Sequence, residues 1–297
     1  MGEFDAVVQT TSFVYRNIPL FKYLGTYYRL VDLKNKETDF LSKNKKNVFF
    51  ANANKFIRIP GNIFAYWISE SLEDAFSNGI PIKIEGDTRQ GMATSDNEKF
   101  LRFWFEVPYL KIGFNAIDAN NANSMNKKWY PYNKGGAYRK WYGNVEYVIN
   151  YEFDGKEIKD YAYKLYKSVT RTIKSISEYF KPCISWSKIS SGKISFRYYP
   201  NGFIFDVAGC CIFFKNGNLL NYYFAFLNSV ISTKMLTVLS PTLNYEAGQI
   251  ATLPIKVDTN NFSKLDLVVN SNILIAKHDW DSYETSWDFK HHPLLGK

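Results

Sequence analysis

Apolar residues recur along this chain at two spacings, and the spacings divide it into strands and helices. Alternation of apolar and polar positions at 4–15, 27–33, 48–50 and 56–59 predicts short strands separated by Lys- and Asn-rich turns. A strand that starts as abruptly as 4–15 reads as the end of something longer. Ile82-Lys83-Ile84 leads into a polar tract, and further strands are expected in the aromatic run 100–107 and at 183–188, 193–199 and 203–214, the last two parted by the turn Pro200-Asn201-Gly202. Three- and four-residue spacing predicts helices at 65–76, closed by Asn78-Gly79, and at 157–180, where Ile158, Ala162, Leu165, Val169, Ile173, Ile176 and Phe180 form one stripe before Lys181-Pro182. Two more are expected at 218–239, ended before Pro241, and at 261–280. The tracts 85–97 and 115–126 are polar, aperiodic and read as loops, and 281–297 reads as peripheral. The pattern predicts an α+β fold in which a mixed β-sheet carries at least four packed helices.

Composition changes this picture in one respect. The chain has 297 residues, 46% hydrophobic and 22% charged, enough to bury a core. Aromatics reach 18%, and 37 Lys+Arg against 28 Asp+Glu give a net charge of +9. The excess is local: residues 127–199 hold 15 cations and six acids, so the whole +9 falls there and the remainder is balanced. Lysine enrichment through coding bias would be spread evenly, so the clustering points to a polyanion-binding surface.

Candidate chemistry is narrowed by what is missing. The three histidines, His278, His291 and His292, all lie in the last twenty residues, which removes Ser/His and Cys/His catalysis from the main body. Cys183, Cys210 and Cys211 lack metal-ligand spacing and read as small buried hydrophobes in a reducing compartment. Ser190-Ser191-Gly192-Lys193 lacks the spacing of a phosphate-binding loop, and Asp154, Glu157 and Lys159 sit at a helix start, where acids act as caps. No Pro-Pro base-gripping loop or Gly-rich cofactor turn occurs. The longest apolar stretch, 219–239, is broken by Asn221, Asn228, Ser232 and Lys234, too polar to span a bilayer, so a cytoplasmic location and no membrane partner are expected.

Four segments remain as candidates for nucleic-acid contact. In 127–143, KKWYPYNKGGAYRKWYG, Lys134, Arg139 and Lys140 suit phosphate, Gly135-Gly136 permits close backbone approach, and Trp141 and Tyr142 suit stacking beside an extruded base; the same run suits a packed aromatic turn. Around 186–197, Lys188 and Lys193 suit a groove and Arg197 suits guanine, against a plain hairpin loop beside a core Trp. Arg89, Gln90, Thr94 and Asn97 offer base-edge or backbone bonds, or brace the sheet. Lys164, Lys167, Arg171 and Lys174 lie along the outer face of the predicted helix 157–180, as a phosphate-tracking row or a solvated face. The segment 241–254 reads as structural.

Six stretches, taken in order, carry a resemblance: FDAVVQTTSFVYR (4–16), RQGMATSDNEKFLRFWFEV (89–107), KWYPYNKGGAYRKWYG (128–143), ISWSKISSGKISFRYYPNGFIFDVAGC (184–210), LSPTLNYEAGQIATLPI (239–255) and HDWDSYETSWDF (278–289). Together they resemble the C-terminal target-recognition region of adenine-specific DNA methyltransferases of the TaqI-like specificity class, in particular the PglX type of BREX phage-exclusion systems. A Gly-x-x-Thr-Gly-x-Asn-x-x-Phe pattern of such regions appears as Gly91 to Phe100, with Ser95 in place of its second glycine. The resemblance implies a tail of an upstream methylase domain at 1–16, a DNA target-recognition domain at 17–256 and a helical extension at 257–297. It implies double-stranded DNA, that methylase domain and other phage-defence proteins as partners. S-adenosylmethionine is then the cofactor of the full-length enzyme, with none bound by this chain. A complete enzyme is not expected here, and the rival expectation is an interaction scaffold whose basic face meets an acidic protein.

Overall fold

The computed structural model describes residues 11–295 except Arg16, Pro19, Phe21, Asp32, Asn44, Ser191, Pro241, Thr259 and Asn261. Most of the strand expected at 4–15 therefore lies outside the described residues, as do Ser191, Pro241 and Asn261. The chain divides into two compact units at Asn78/Gly79. In the first, β1 (Gly25–Tyr28) pairs antiparallel with β2 (Val48–Ala51) around the short helix α1 (Lys36–Leu41), and α2 (Glu70–Asn78) follows. Its core is aromatic: Tyr27 stacks on Tyr66 at 4.7 Å and meets Phe56 edge-on at 5.6 Å. Residues 56–59 are not a strand; Ala53–Arg58 is a 3-10 turn capped by Asn52, and α2 begins five residues later than its apolar pattern suggested.

The second unit has two four-stranded sheets. After β3 (Ile80–Pro81) come β4 (Gly86–Arg89), α3 (Asn97–Phe100), β5 (Leu101–Phe103), α4 (Ala119–Ser124), β6 (Trp129–Asn133), β7 (Tyr147–Asn150) and α5 (Glu152–Tyr166). The chain continues through β8 (Cys183–Ser187), β9 (Phe196–Tyr199), β10 (Ile204–Phe205), β11 (Gly209–Phe214), α6 (Leu220–Leu227), α7 (Val230–Leu239), α8 (Ala247–Ala251), β12 (Pro254–Ile255) and α9 (Phe262–Asp281). One sheet has the order β10-β6-β7-β5, with β10 parallel to β6 and the rest antiparallel; the other is antiparallel throughout, β4-β11-β8-β9. The fold is α+β with mixed sheets. Tyr130, Tyr132, Ile149, Tyr199, Ile204, Phe205 and Cys211 from both sheets share one core.

The local pattern misplaced several ends. The helix expected at 157–180 stops at Tyr166, where Lys167 turns left-handed (φ 54°) and returns its N–H to the Tyr163 carbonyl. Beyond it the Ser168 and Thr170 hydroxyls bond each other at 3.3 Å, competing locally with helix, and Ile173 and Phe180 reach the core from turns. The stretch 218–239 is two helices rather than one. Asn228 between them bonds Phe196 of β9 in both directions, through Oδ1 to its N–H and through Nδ2 to its carbonyl, each at 3.2 Å, and Ser229 caps the second helix. The polar tract 85–97 contains β4, which edges the second sheet, and 115–126 contains α4. The aromatic run 100–107 is strand only to Phe103 and then a 3-10 turn. All three cysteines are free and buried, and burial pushes the Cys210 thiol up to about 12.

Where the two sheets meet, backbones approach closely. A Cβ on Gly91 would overlap the Phe205 carbonyl oxygen, whereas one on Gly192 meets nothing within 4 Å. Gly91→Ala is therefore expected to cost about 2 kcal/mol, lowering the melting temperature by about 4–8 °C. Gly192→Ala should stay within about 0.5 kcal/mol. Equal melting temperatures for the two variants, followed by circular dichroism, would contradict this close contact.

Candidate nucleic-acid interface

The candidate loop grows from the end of β6. Asn133, buried at 1%, donates through Nδ2 to Ser185 Oγ (2.7 Å) and the Gly209 carbonyl (3.2 Å) and accepts the Gly135 N–H at 3.1 Å. One residue on, Lys134 Nζ lies 2.7 Å from Asp206 Oδ2 and 3.3 Å from Asn97 Oδ1. Asp206 is 1% exposed and also accepts the Tyr132 hydroxyl (2.8 Å) and the Ala208 N–H (2.7 Å). Burial, reinforced by this carboxylate, raises the Tyr132 hydroxyl well above its ordinary value. Lys134 is thus a structural cation that neutralises a buried acid.

The rest of the loop is likewise held from within. The Arg139 guanidinium pairs with Asp279 of α9 at 2.9 Å and lies over the Trp280 ring at 5.0 Å. Lys140 donates to the Asn228 carbonyl at 2.7 Å. Trp141 adopts φ 74° and packs edge-on against Phe224 at 4.9 Å. Tyr142 is buried beneath Lys277, and burial raises its hydroxyl. Tyr142 is a packing residue under α9, which corrects the expectation that it stacks on a base; Trp141 packs on α6 with its ring half-buried. Arg197 is corrected too. It is fully buried, donating to Ser187 Oγ (3.0 Å), Ser195 Oγ (3.4 Å) and the carbonyls of Ala137 (3.4 Å) and Arg139 (3.5 Å), so it does not reach a base edge.

Two of the candidate segments converge. Gly136, Ala137 and Tyr138 face Ile189, Ser190, Gly192 and Lys193 across a groove of about 500 Å³. Lys193 is exposed, with no acidic partner among the described residues. Beside it, Lys188 pairs with Glu246 at 3.0 Å, and Glu246 also accepts from Gln90 Nε2 (3.2 Å) and Asn244 Nδ2 (2.8 Å). Bonds to Lys188 and Asn244 hold the Glu246 carboxyl below the usual range, outweighing burial, which acts the other way and is the largest single influence. Glu246 and Asn244 belong to the segment 241–254, which reads as structural; one acid and two amides among apolar and small residues give no signal until the fold sets Glu246 and Asn244 beside Lys188.

The 88–97 loop joins the opposite flank. Ser175 Oγ donates to the Gln90 carbonyl (2.9 Å), and the Ala93 N–H donates to the Thr172 carbonyl (2.8 Å). Arg89 is exposed and pairs with Asp87 at 3.4 Å. Thr94 is buried and donates to Asn97 Oδ1 at 2.6 Å, which makes it a brace. Ser95 adopts φ 60°, supplying the left-handed bend that glycine supplies in the pattern it departs from. Lys164, Lys167, Arg171 and Lys174 are all exposed, although only Lys164 is helical; Arg171 lies over the Tyr166 ring at 5.0 Å. Lys164, Lys167 and Lys174 have no acidic partner among the described residues. A chain of contacts thus runs from Ser175, next to Lys174, through Gln90 and Glu246 to Lys188 beside the groove.

This geometry is joined by a likeness in sequence. The chain is similar to adenine-specific methyltransferases. It is 37% identical over 97% of its length to the adenine-specific methyltransferase PglX of Lacticaseibacillus casei (strain Zhang). It is 33% identical, again over 97%, to the adenine-specific methyltransferase BrxX of Escherichia coli O9:H4 (strain HS). It spans 24% and 23% of those two proteins, about a quarter of each. No family profile matches it. Among the described residues no helix is long and apolar enough to cross a membrane, and no group of three His, Cys, Asp or Glu side chains is placed to hold a metal.

The two kinds of cation separate by stability. Lys134→Ala leaves Asp206 buried without its counter-charge and is expected to cost about 2 kcal/mol, whereas Lys193→Ala should change stability by about 0.5 kcal/mol or less. Denaturant titration of both variants checks this; a Lys134 variant as stable as the parent would remove the structural role.

Proposed function

We propose that this chain is the DNA target-recognition region of an adenine-specific, S-adenosylmethionine-dependent DNA methyltransferase of a phage-defence system, acting with a methylase domain supplied elsewhere. The observation that carries the reading is the sorting of the basic window. Lys134, Arg139 and Lys188 are paired with Asp206, Asp279 and Glu246, while Lys164, Lys167, Lys174 and Lys193 are exposed with no acidic partner among the described residues. Exposed cations suit a phosphate backbone, and Gln90, Lys188 and Glu246 are polar groups able to bond base edges. The likeness to two adenine-specific methyltransferases supports DNA as the polyanion.

The groove does not suit S-adenosylmethionine. Its lining carries Lys193 and no carboxylate, so it would repel the sulfonium and leave the ribose hydroxyls without an acidic partner.

An interaction scaffold remains the second reading. The observation favouring it is the exposed apolar stripe of α9, Leu267, Val268, Leu274 and Ile275.

Duplex DNA should bind the chain at about 50 mM salt, with affinity falling steeply as salt rises. Replacing Lys164, Lys167 and Lys174 together by Gln should flatten the log–log salt slope by about 2–3, at about 0.9 per phosphate contact. Fluorescence anisotropy measures both. No duplex binding at low salt would sink the recognition reading and favour the scaffold.

Asp279→Asn frees Arg139 from its exposed partner and is expected to tighten duplex binding about twofold to fivefold, with stability changed by about 1 kcal/mol or less. An unchanged affinity in the same assay would show that Arg139 stays committed to α9.

A further inference from the structure

The groove has a charge behind it. Arg197 is fully buried, and every group it donates to is a neutral oxygen: two serine hydroxyls and two backbone carbonyls. Its Nε has no partner, and no carboxylate pairs with it among the described residues. A buried guanidinium without a counter-charge bears a large desolvation cost and projects its field through a medium that screens it poorly. That field falls on the groove. Arg197 bonds the Ala137 carbonyl directly, and Ser187, which receives its Nη2, donates onward to the Gly136 carbonyl at 2.7 Å.

The same bonds determine what the groove offers a ligand. The carbonyls of Gly136 and Ala137 are turned to Ser187 and to Arg197 and Asn144, so their acceptor sites are engaged inside. The N–H groups of Gly136, Ala137 and Tyr138 have no acceptor among the described residues, while the neighbouring Gly135 and Arg139 N–H groups bond Asn133 and Ser195. Three consecutive unpaired N–H groups, a buried positive charge behind them and the exposed Lys193 opposite make a site for an anion. Positive φ at Gly135 (80°) and Gly136 (126°) gives the backbone this course and leaves no Cβ between it and a ligand. The flanking Tyr138 and Ile189 are exposed and apolar, which suits the sugar beside a phosphate.

We propose that the groove between Gly136–Tyr138 and Ser190, Gly192 and Lys193 is a phosphate site that takes one phosphodiester of a nucleic-acid backbone, with Arg197 as the buried charge that attracts it. This deepens the recognition reading and rests on it for the source of the phosphate.

Amide shifts of the full chain, followed by nuclear magnetic resonance while inorganic phosphate and, separately, a short DNA duplex are added, test it. Both probes should move the Gly136, Ala137, Tyr138 and Gly192 amides, the duplex at far lower concentration, and sodium chloride should not. Lys193→Glu should weaken both responses and reduce the duplex salt slope by about one. Arg197→Met, which keeps length and removes charge, should abolish the phosphate response, and Arg197→Lys should restore part of it; if the Met variant does not fold, the Lys193 variant and the parent titrations still decide. Duplex binding with these amides unmoved would overturn the site and leave the recognition reading standing. Phosphate shifting these amides while no duplex binds would overturn the phosphodiester assignment together with that reading.

Discussion

The buried carboxylate of Asp206 is the constraint on which the rest of the second unit depends. It lies where β10 leaves the first sheet and the chain turns toward β11 of the second, and it is almost wholly removed from water. An acid in that position needs a counter-charge and full hydrogen bonding, and Lys134, Tyr132 and the Ala208 N–H supply them. Satisfying Asp206 holds the end of β6 against the β10–β11 connection. Asn133 fastens the same junction to β8 and β11, and Gly209 permits it because a Cβ there would stand 2.5 Å from the Asn133 carbonyl. The loop from Lys134 to Gly143 departs from this point, so its position follows from the polar junction between the sheets.

That junction accounts for the sorting of charge. Cations near it are drawn inward, Lys134 to Asp206 and Arg197 to the serines and carbonyls around it, while α9 reaches across to take Arg139 with Asp279 and Trp280. Cations further along the chain, from Lys164 in the last turn of α5 to Lys174 beyond it, stay in solvent. A basic segment is thus part scaffold and part surface, and only the surface part is available to a polyanion. The buried Arg197 belongs to both, since its charge is structural in position and is felt in the groove.

Some of this organisation was legible along the chain. Strands β8, β9 and β11 are short apolar runs bounded by Ser, Gly, Pro and Asn, and both faces of β8 and β11 are buried, so local composition and tertiary environment agree. The locality of the +9 was legible because charge is counted without knowing direction. Helix ends were less so. The apolar stripe of 157–180 continues past Lys167 because turns also deliver Ile173 and Phe180 to the core, and periodicity alone does not distinguish a helix from a turn that ends at the same wall. The break at Asn228 has a local mark only in the Asn228-Ser229 pair, and it is held by Phe196, thirty-two residues away in sequence.

Residue chemistry and spacing therefore determined the fold class, the restriction of the net charge to one window, and the absence of histidine from the main body, since each depends on identities read in order. Which cations face water was decided only in three dimensions. Lys134 and Lys193, or Arg171 and Arg197, are equivalent as letters; they differ because the free energy of a charge is set by what lies within a few ångströms of it, and for Lys134 and Arg197 those neighbours come from strands distant in sequence. Glu246 entered the surface in the same way, brought beside Lys188 and Gln90 by the pairing of β4, β11 and β8.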